Sequence, residues 1–377
     1  MINLATSVFA AGLVGVLCLM EHRRLAPTQQ EACVVGWLLF SGLVFMILIE
    51  IFYGDNSLAN WLAGIARWFW AFSFIVLWLA FRFCPHLLRW LLYFGAALTI
   101  ALLTSVIFHV SGLAFTNQPV VYTFDGYHRP HGMLYSPLEA GIVALVGWAW
   151  GIAWAVQQGW RLAAGMTLLG LSIAVMYLTF SRSAWLGFAV ATGIGLYCCT
   201  RFRRLIIPML ISICFFVVWS VVLPEGWLRS AYATQGDPSV HNRLAMWQQI
   251  PSYLWHYPLG TPTDYEPRLI LPGDCPLAPM PISTTVNFYL DMGVHFGILP
   301  MIILLWLSAA LAWRTLRLCV NNTLGVAWGM GTLAVMVCLV FMNPLWDAAA
   351  SALFGGLWGM VSAMEVKPDA TTRVHTD

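Results

Sequence analysis

The stretch YLTFSRSAWLGFAVATGIGL, residues 177–196, decides how the chain is read. It is apolar enough to lie in a lipid bilayer, yet Arg182 stands at its centre between Ser181 and Ser183, with no acid nearby. Placing a charge in hydrocarbon is costly, so an ionisable residue there marks a functional site by default. Its counter-charge is expected to arrive with a ligand.

The rest of the chain has the same character. Of 377 residues, 60% are hydrophobic and 9% charged, whereas a soluble domain carries roughly 25% charged residues. The mean hydropathy is +0.78. The apolar runs are long enough for helices that cross a hydrocarbon core of about 30 Å, and none alternates as a membrane barrel strand would. About eleven spans (10–12) are expected, and the fold class is an all-α polytopic membrane protein. They fall at 2–20, 32–53, 62–81, 87–112, 138–156, 162–180, 184–200, 205–223, 285–312, 323–342 and 347–364. The first lacks a convincing small-residue cleavage site and is read as a retained span.

Orientation follows from basic residues, which concentrate in cytoplasmic loops. With the N-terminus outside, Arg23, Arg24, Arg82, Arg89, Arg161, Arg201, Arg203, Arg204, Arg314, Arg317, Lys367 and Arg373 are cytoplasmic. The other basic residues, Arg67, Arg129, Arg182, Arg229, Arg243 and Arg268, fall on or near the outer face, and none is lysine. Planar, forked guanidinium donors match phosphate oxygens, so this set points to a phosphorylated ligand. Arginine that merely snorkels to the interface is the plain alternative.

Residues 1–377 read as a single membrane domain with two long outer loops, 113–137 and 224–284. Long ordered loops usually carry function, which places any chemistry outside. In the larger loop, SVHNRLAMWQQIPSYLWHYPLG has Leu244, Trp247, Ile250 and Leu254 at helical spacing. It predicts an amphipathic helix lying along the membrane or over a cavity. Only Cys275 among the cysteines sits in a sizeable outer loop, so no disulfide is expected within it. No metal-ligand spacing, nucleotide-binding glycine loop or internal repeat is present, so neither a metal nor any other cofactor is expected.

Four segments in order resemble the O-antigen ligase and polymerase superfamily, membrane glycosyltransferases that use polyprenyl-diphosphate-linked glycans. They are RPHGMLYSPLEAG at 129–141, TFSRSAWLGF at 179–188, NRLAMWQQIPSYLWHYPLG at 242–260 and VNFYLDMGVHFGILP at 286–300. The resemblance covers about residues 120–310. It implies a GT-C-like helical fold and a large periplasmic loop closing over a cavity, with arginines on the diphosphate of an undecaprenyl-linked donor. By position these are Arg129, Arg182 and Arg243, and Arg268 lies in the same loop. Arg182 and Gly193 also fit an arginine, ten residues, glycine spacing found in polymerases of this family. One departure matters: ligases usually carry a histidine just before the asparagine that opens the span after the large loop, whereas here Val286 precedes Asn287.

The chemistry so implied stabilises a diphosphate leaving group with arginines and needs neither a nucleotide nor a divalent ion. A base must also accept the proton of the attacking sugar hydroxyl. The catalytic candidates are His295, Asp291 and Glu139. Asp291 and His295 are four apart and so share a helix face. Glu139 is either a base or a partner holding Arg129. His131, His241 and Asn287 are placed at the site edge, with His128 a further titratable group nearby.

The leading expectation is a polymerase of lipid-linked repeat units on the periplasmic face of the bacterial inner membrane. It would act in lipopolysaccharide biosynthesis, with a chain-length regulator as a possible partner and no nucleic acid involved. The alternative is a ligase transferring glycan to lipid A core or to protein. Transport or lipid flipping is the lesser one, motivated by Glu50, Asp291 and Arg67. A cell-wall glycosyltransferase of the shape, elongation and division type fits the motifs less well.

Overall fold

A computed structural model describes residues 87–110, 121–122, 128–134, 136–157, 159–199, 203–222, 238–261, 287–321, 323–341, 353–358 and 361. The spans read at 2–20, 32–53 and 62–81, most of 347–364, and Arg268 lie outside the described residues, as do the side chains of Arg129 and His241.

Nine helices carry the described fold. They are α1 (Leu87–Val110), α2 (Pro137–Ala155), α3 (Trp160–Leu178), α4 (Arg182–Cys199), α5 (Ile206–Val222), α6 (Pro238–His256), α7 (Phe288–Phe296), α8 (Ile298–Asn321) and α9 (Thr323–Leu339). A short antiparallel ladder, β1 (Val121–Tyr122) with β2 (His128–Arg129), pairs Val121 with Arg129 and Tyr122 with His128. It is the one departure from an all-helical chain among the described residues. Among these residues, α2, α3 and the Ile298–Leu318 part of α8 are long and apolar enough to cross a membrane. The protein is thus a multi-pass membrane protein whose described residues are almost wholly helical.

The most central of the described helices is α2, whose residues are buried almost throughout. It packs against α1, α3, α4, α5 and α9. Trp148 stacks edge-on to Phe188 of α4 at 5.2 Å, and its indole N–H donates to Ser212 Oγ of α5 at 3.0 Å. Trp150 meets Trp328 of α9 edge-on at 5.0 Å. By contrast α8 turns Leu299, Ile302, Leu305, Trp306 and Trp313 outward, as a lipid-facing helix would.

Short connections make neighbouring helices antiparallel and sort the ends of the bundle. The C-termini of α1, α3 and α9 and the N-termini of α2 and α4 gather at one end, joined by the contacts described below. Arg161, Arg204, Arg314 and Arg317 belong to the opposite end, at the start of α3, just before α5 and near the close of α8.

Two expectations change. The span read at 285–312 breaks at Gly297 into α7 and α8. Gly297 has φ of +93°, and a Cβ there would lie 2.6 Å from the main chain of Leu259 and Pro258. The N–H of Ile298 donates to the Pro258 carbonyl at 2.9 Å, so the loop after α6 is inserted at the break. The amphipathic helix forms as α6, but its buried face is Met246, Ile250 and Leu254 against Val294 of α7, with Trp247 at the margin. Leu244 is about half exposed, because its register turns it off that face.

Candidate active site

The loop after β2 is built onto the last turn of α1. His109 Nδ1 accepts the main-chain N–H of His131 at 3.3 Å and of Gly132 at 3.1 Å. Ser105 Oγ accepts from the N–H of Met133 at 3.0 Å and donates to the Leu102 carbonyl at 2.6 Å. Gly132 has φ of +63°, and a Cβ there would lie 2.3 Å from Ser105 Oγ, so the loop depends on glycine at this position. His131 is fully buried, its ring N–H at Nδ1 donating to the Leu134 carbonyl at 2.6 Å. Arg129 is thereby held two residues from an anchored turn.

The chain then enters α2 through a capping box. Ser136 Oγ accepts from the N–H of Glu139, and Glu139 Oε2 accepts from the N–H of Ser136 at 2.9 Å. Each group satisfies a helix-end donor that would otherwise be bare. Glu139 is buried and has this structural duty.

Arg182 is the first residue of α4 and follows a tight turn from α3. Phe180 in that turn has φ of +48°, uncommon for a bulky residue and a mark of local strain of the kind found at functional sites. Ser181 Oγ and Ser183 Oγ lie 3.3 Å apart, both buried. A Cβ on Gly141 of α2 would stand 3.2 Å from Ser181 Oγ, so the starts of α2 and α4 touch. The thiol of Cys338 on α9 donates to the Ser183 carbonyl at 3.1 Å. No acid occupies the first turn of α4, where helix-end N–H groups and the helix dipole favour an anion. A cation at that position adds to the positive potential.

Arg243 of α6 reaches the same end. Its Nη1 donates to the Phe341 carbonyl at 3.1 Å, just past α9. Trp247 leans on the Phe341 ring at 6.4 Å. The segments carrying Arg129, Glu139, Arg182 and Arg243 thus meet through α1, α2, α4, α6 and α9.

Asn287 caps α7, its Oδ1 accepting from the N–H of Leu290 at 3.1 Å. Asp291 is fully buried and His295 partly so, four apart on this short helix. α7 packs beneath α6, where Thr261 Oγ1 donates to the Val294 carbonyl at 3.2 Å. His241 lies in the first half of α6. The residue that sequence reasoning missed is His109, which sits inside an apolar run 22 residues before its partner His131.

Helices long and apolar enough to cross a membrane, three of them among the described residues, mark a multi-pass membrane protein. Residues 166–305, from α3 into α8, match the family model described as O-antigen ligase, and the match supports the O-antigen ligase and polymerase superfamily. It takes in Arg182, Arg243, Asn287, Asp291 and His295, and begins after Arg129, His131 and Glu139. It implies a glycosyltransferase-like enzyme of the O-antigen ligase or polymerase type. No curated protein matches the chain.

Proposed function

We propose that the protein polymerises oligosaccharide repeat units carried on undecaprenyl diphosphate, working at the periplasmic face of the inner membrane. The observation that carries this reading is Arg182 at the N-terminus of α4, with no acid in that helix's first turn, flanked by Ser181 and Ser183 and set where the start of α2 and the end of α9 pack on the same turn. Positive end, forked donors and hydroxyls together suit a diphosphate.

Donor diphosphate binds Arg182, Arg129 and Arg243, with Arg268 contributing from the large loop. A hydroxyl of a second lipid-linked unit attacks the anomeric carbon and inverts it. The bond from that carbon to the diphosphate oxygen breaks, and the electron pair leaves on the diphosphate. Arginines stabilise the charge as it develops, an effect that strengthens in a water-poor cleft. The reaction requires neither a nucleotide nor a divalent ion. Asp291 and His295, four apart on α7 beneath α6, are further polar groups of the reaction centre, with His241 and Asn287 assigned to its edge. Glu139 serves the α2 cap. A chain-length regulator is the expected protein partner.

Val286 in place of the ligase histidine favours polymerisation. The second reading is a ligase moving the glycan from its lipid diphosphate to lipid A core, and the description of the matched family model favours it. Deleting the gene and displaying the surface polysaccharide on a gel separates the two. Loss of the ladder with single-unit glycan retained supports a polymerase. Loss of all glycan on lipid A core supports a ligase, and an unchanged pattern refutes both.

A further inference from the structure

Two buried histidines meet where α1 ends and the loop before α2 begins, their rings edge-to-face at 4.7 Å. Their partners assign their tautomers. His109 Nδ1 accepts two main-chain N–H groups, so it carries a lone pair and its proton resides on Nε2. His131 Nδ1 faces the Leu134 carbonyl, which only accepts, so the proton is on Nδ1 and the lone pair on Nε2. Both Nε2 atoms are buried, and neither has a hydrogen-bond partner among the described residues. Folded proteins rarely leave such groups unmet without a functional reason.

One orphan donates and the other accepts. A hydroxyl group does both, so a single sugar hydroxyl satisfies the pair. The hydrogen bonds that hold the loop are made at Nδ1 of both rings, and among the described residues neither Nε2 takes part in them. The loop that holds His131 also carries Arg129, and the start of α2 that follows it touches the start of α4 at Arg182.

We propose that His109 and His131 form the acceptor-hydroxyl site, with His131 as the general base; this rests on the glycosyl-transfer reading above. His109 Nε2–H donates to the acceptor oxygen and orients it. That oxygen bonds to the anomeric carbon of the donor as the carbon–diphosphate bond breaks, and its proton passes to His131 Nε2. The resulting imidazolium keeps its Nδ1–H on the Leu134 carbonyl, which stabilises the charge. His131 is therefore catalytic, and His109 orients the same hydroxyl.

Asparagine places its oxygen or its amide nitrogen near the position of Nδ1 and has nothing at Nε2. His131→Asn and His109→Asn thus retain the loop's bonds while removing Nε2 together with the ring carbon Cε1, and place the second amide atom near the former Cδ2. Purified full-length protein in lipid nanodiscs is given undecaprenyl-diphosphate oligosaccharide, and melting, donor binding and transfer are all measured. His131→Asn is expected to melt and bind donor as wild type does while transfer falls roughly 10²–10⁴-fold. His109→Asn is expected to lower transfer about tenfold with donor binding intact. Should His131→Asn unfold, the His109→Asn measurement decides. Wild-type transfer by every folded variant overturns the proposal and leaves the transfer reading standing. Absence of transfer by the wild-type protein overturns both.

Discussion

Gly187 lets the main chain of α4 approach that of α9, and Gly187→Ala tests whether that contact holds the two helices together. A Cβ there would lie 2.5 Å from the Ala334 carbonyl oxygen and 3.0 Å from Cys338 Sγ. Ordinary contact needs about 3.5 Å, so the helices must part by about 1 Å. The obstacle is main chain, which no rotamer change relieves. Cys338 Sγ is also the donor to the Ser183 carbonyl at 3.1 Å, so the displacement stretches a bond one residue from Arg182. Overpacking of this kind costs about 1–3 kcal/mol, against a helix-propensity gain of about 0.5–1 kcal/mol for replacing glycine. A net loss of about 1–2 kcal/mol remains. Gly193, one turn and a half further along α4, is the control: a Cβ there meets nothing within 4 Å, so only the propensity gain applies. Melting in detergent at one fixed scan rate should place Gly187→Ala a few degrees below wild type and Gly193→Ala at or above it. Gly187→Ala melting as high as Gly193→Ala would refute the packing argument.

Three further outcomes follow from the site. Arg182→Lys keeps the charge and removes the fork; glycan transfer should fall by about 10–100-fold with no change in melting, as expected for losing one charge-assisted bond. Full activity in that variant would argue against a bidentate phosphate contact. Glu139→Gln keeps an acceptor for the Ser136 N–H, since glutamine also closes a capping box, so transfer and melting should both stay at wild-type level. A large loss of transfer with normal melting would instead make Glu139 a proton carrier. Ile250→Ala opens the small patch of Met246, Leu254 and Val294 that docks α6. At about 2 kcal/mol for such a truncation, amide exchange in α6 should accelerate by roughly 30-fold while α2 is unaffected.

Among the described residues, helix positions were legible from apolar run length. The expected 138–156, 162–180, 184–200 and 205–223 correspond to Pro137–Ala155, Trp160–Leu178, Arg182–Cys199 and Ile206–Val222. The break at Gly297 was not, because one glycine in an apolar run signals nothing until the loop after α6 is known to insert there. The S-P-L-E sequence at 136–139 is a capping-box pattern that the sequence already carried, and the structure adds that Ser136 and Glu139 close it in both directions. Arg182 announced itself, since a charge in an apolar run is conspicuous. The pairing of His109 with His131 is tertiary: nothing in 22 residues of intervening chain says that one ring will hold the other's backbone. The outward face of α6 likewise depends on which of two adjacent stripes meets α7, which periodicity alone leaves open.

The central claim is that this chain alone transfers glycan from a lipid diphosphate. Purified protein in liposomes, given undecaprenyl-diphosphate oligosaccharide with a chelator present and no nucleotide, should yield a ladder of lipid-linked products in whole multiples of the repeat unit, and the Arg182→Lys variant should yield a much fainter one. A donor recovered unchanged in length from the wild-type protein, with lipid A core present or absent, would contradict the account.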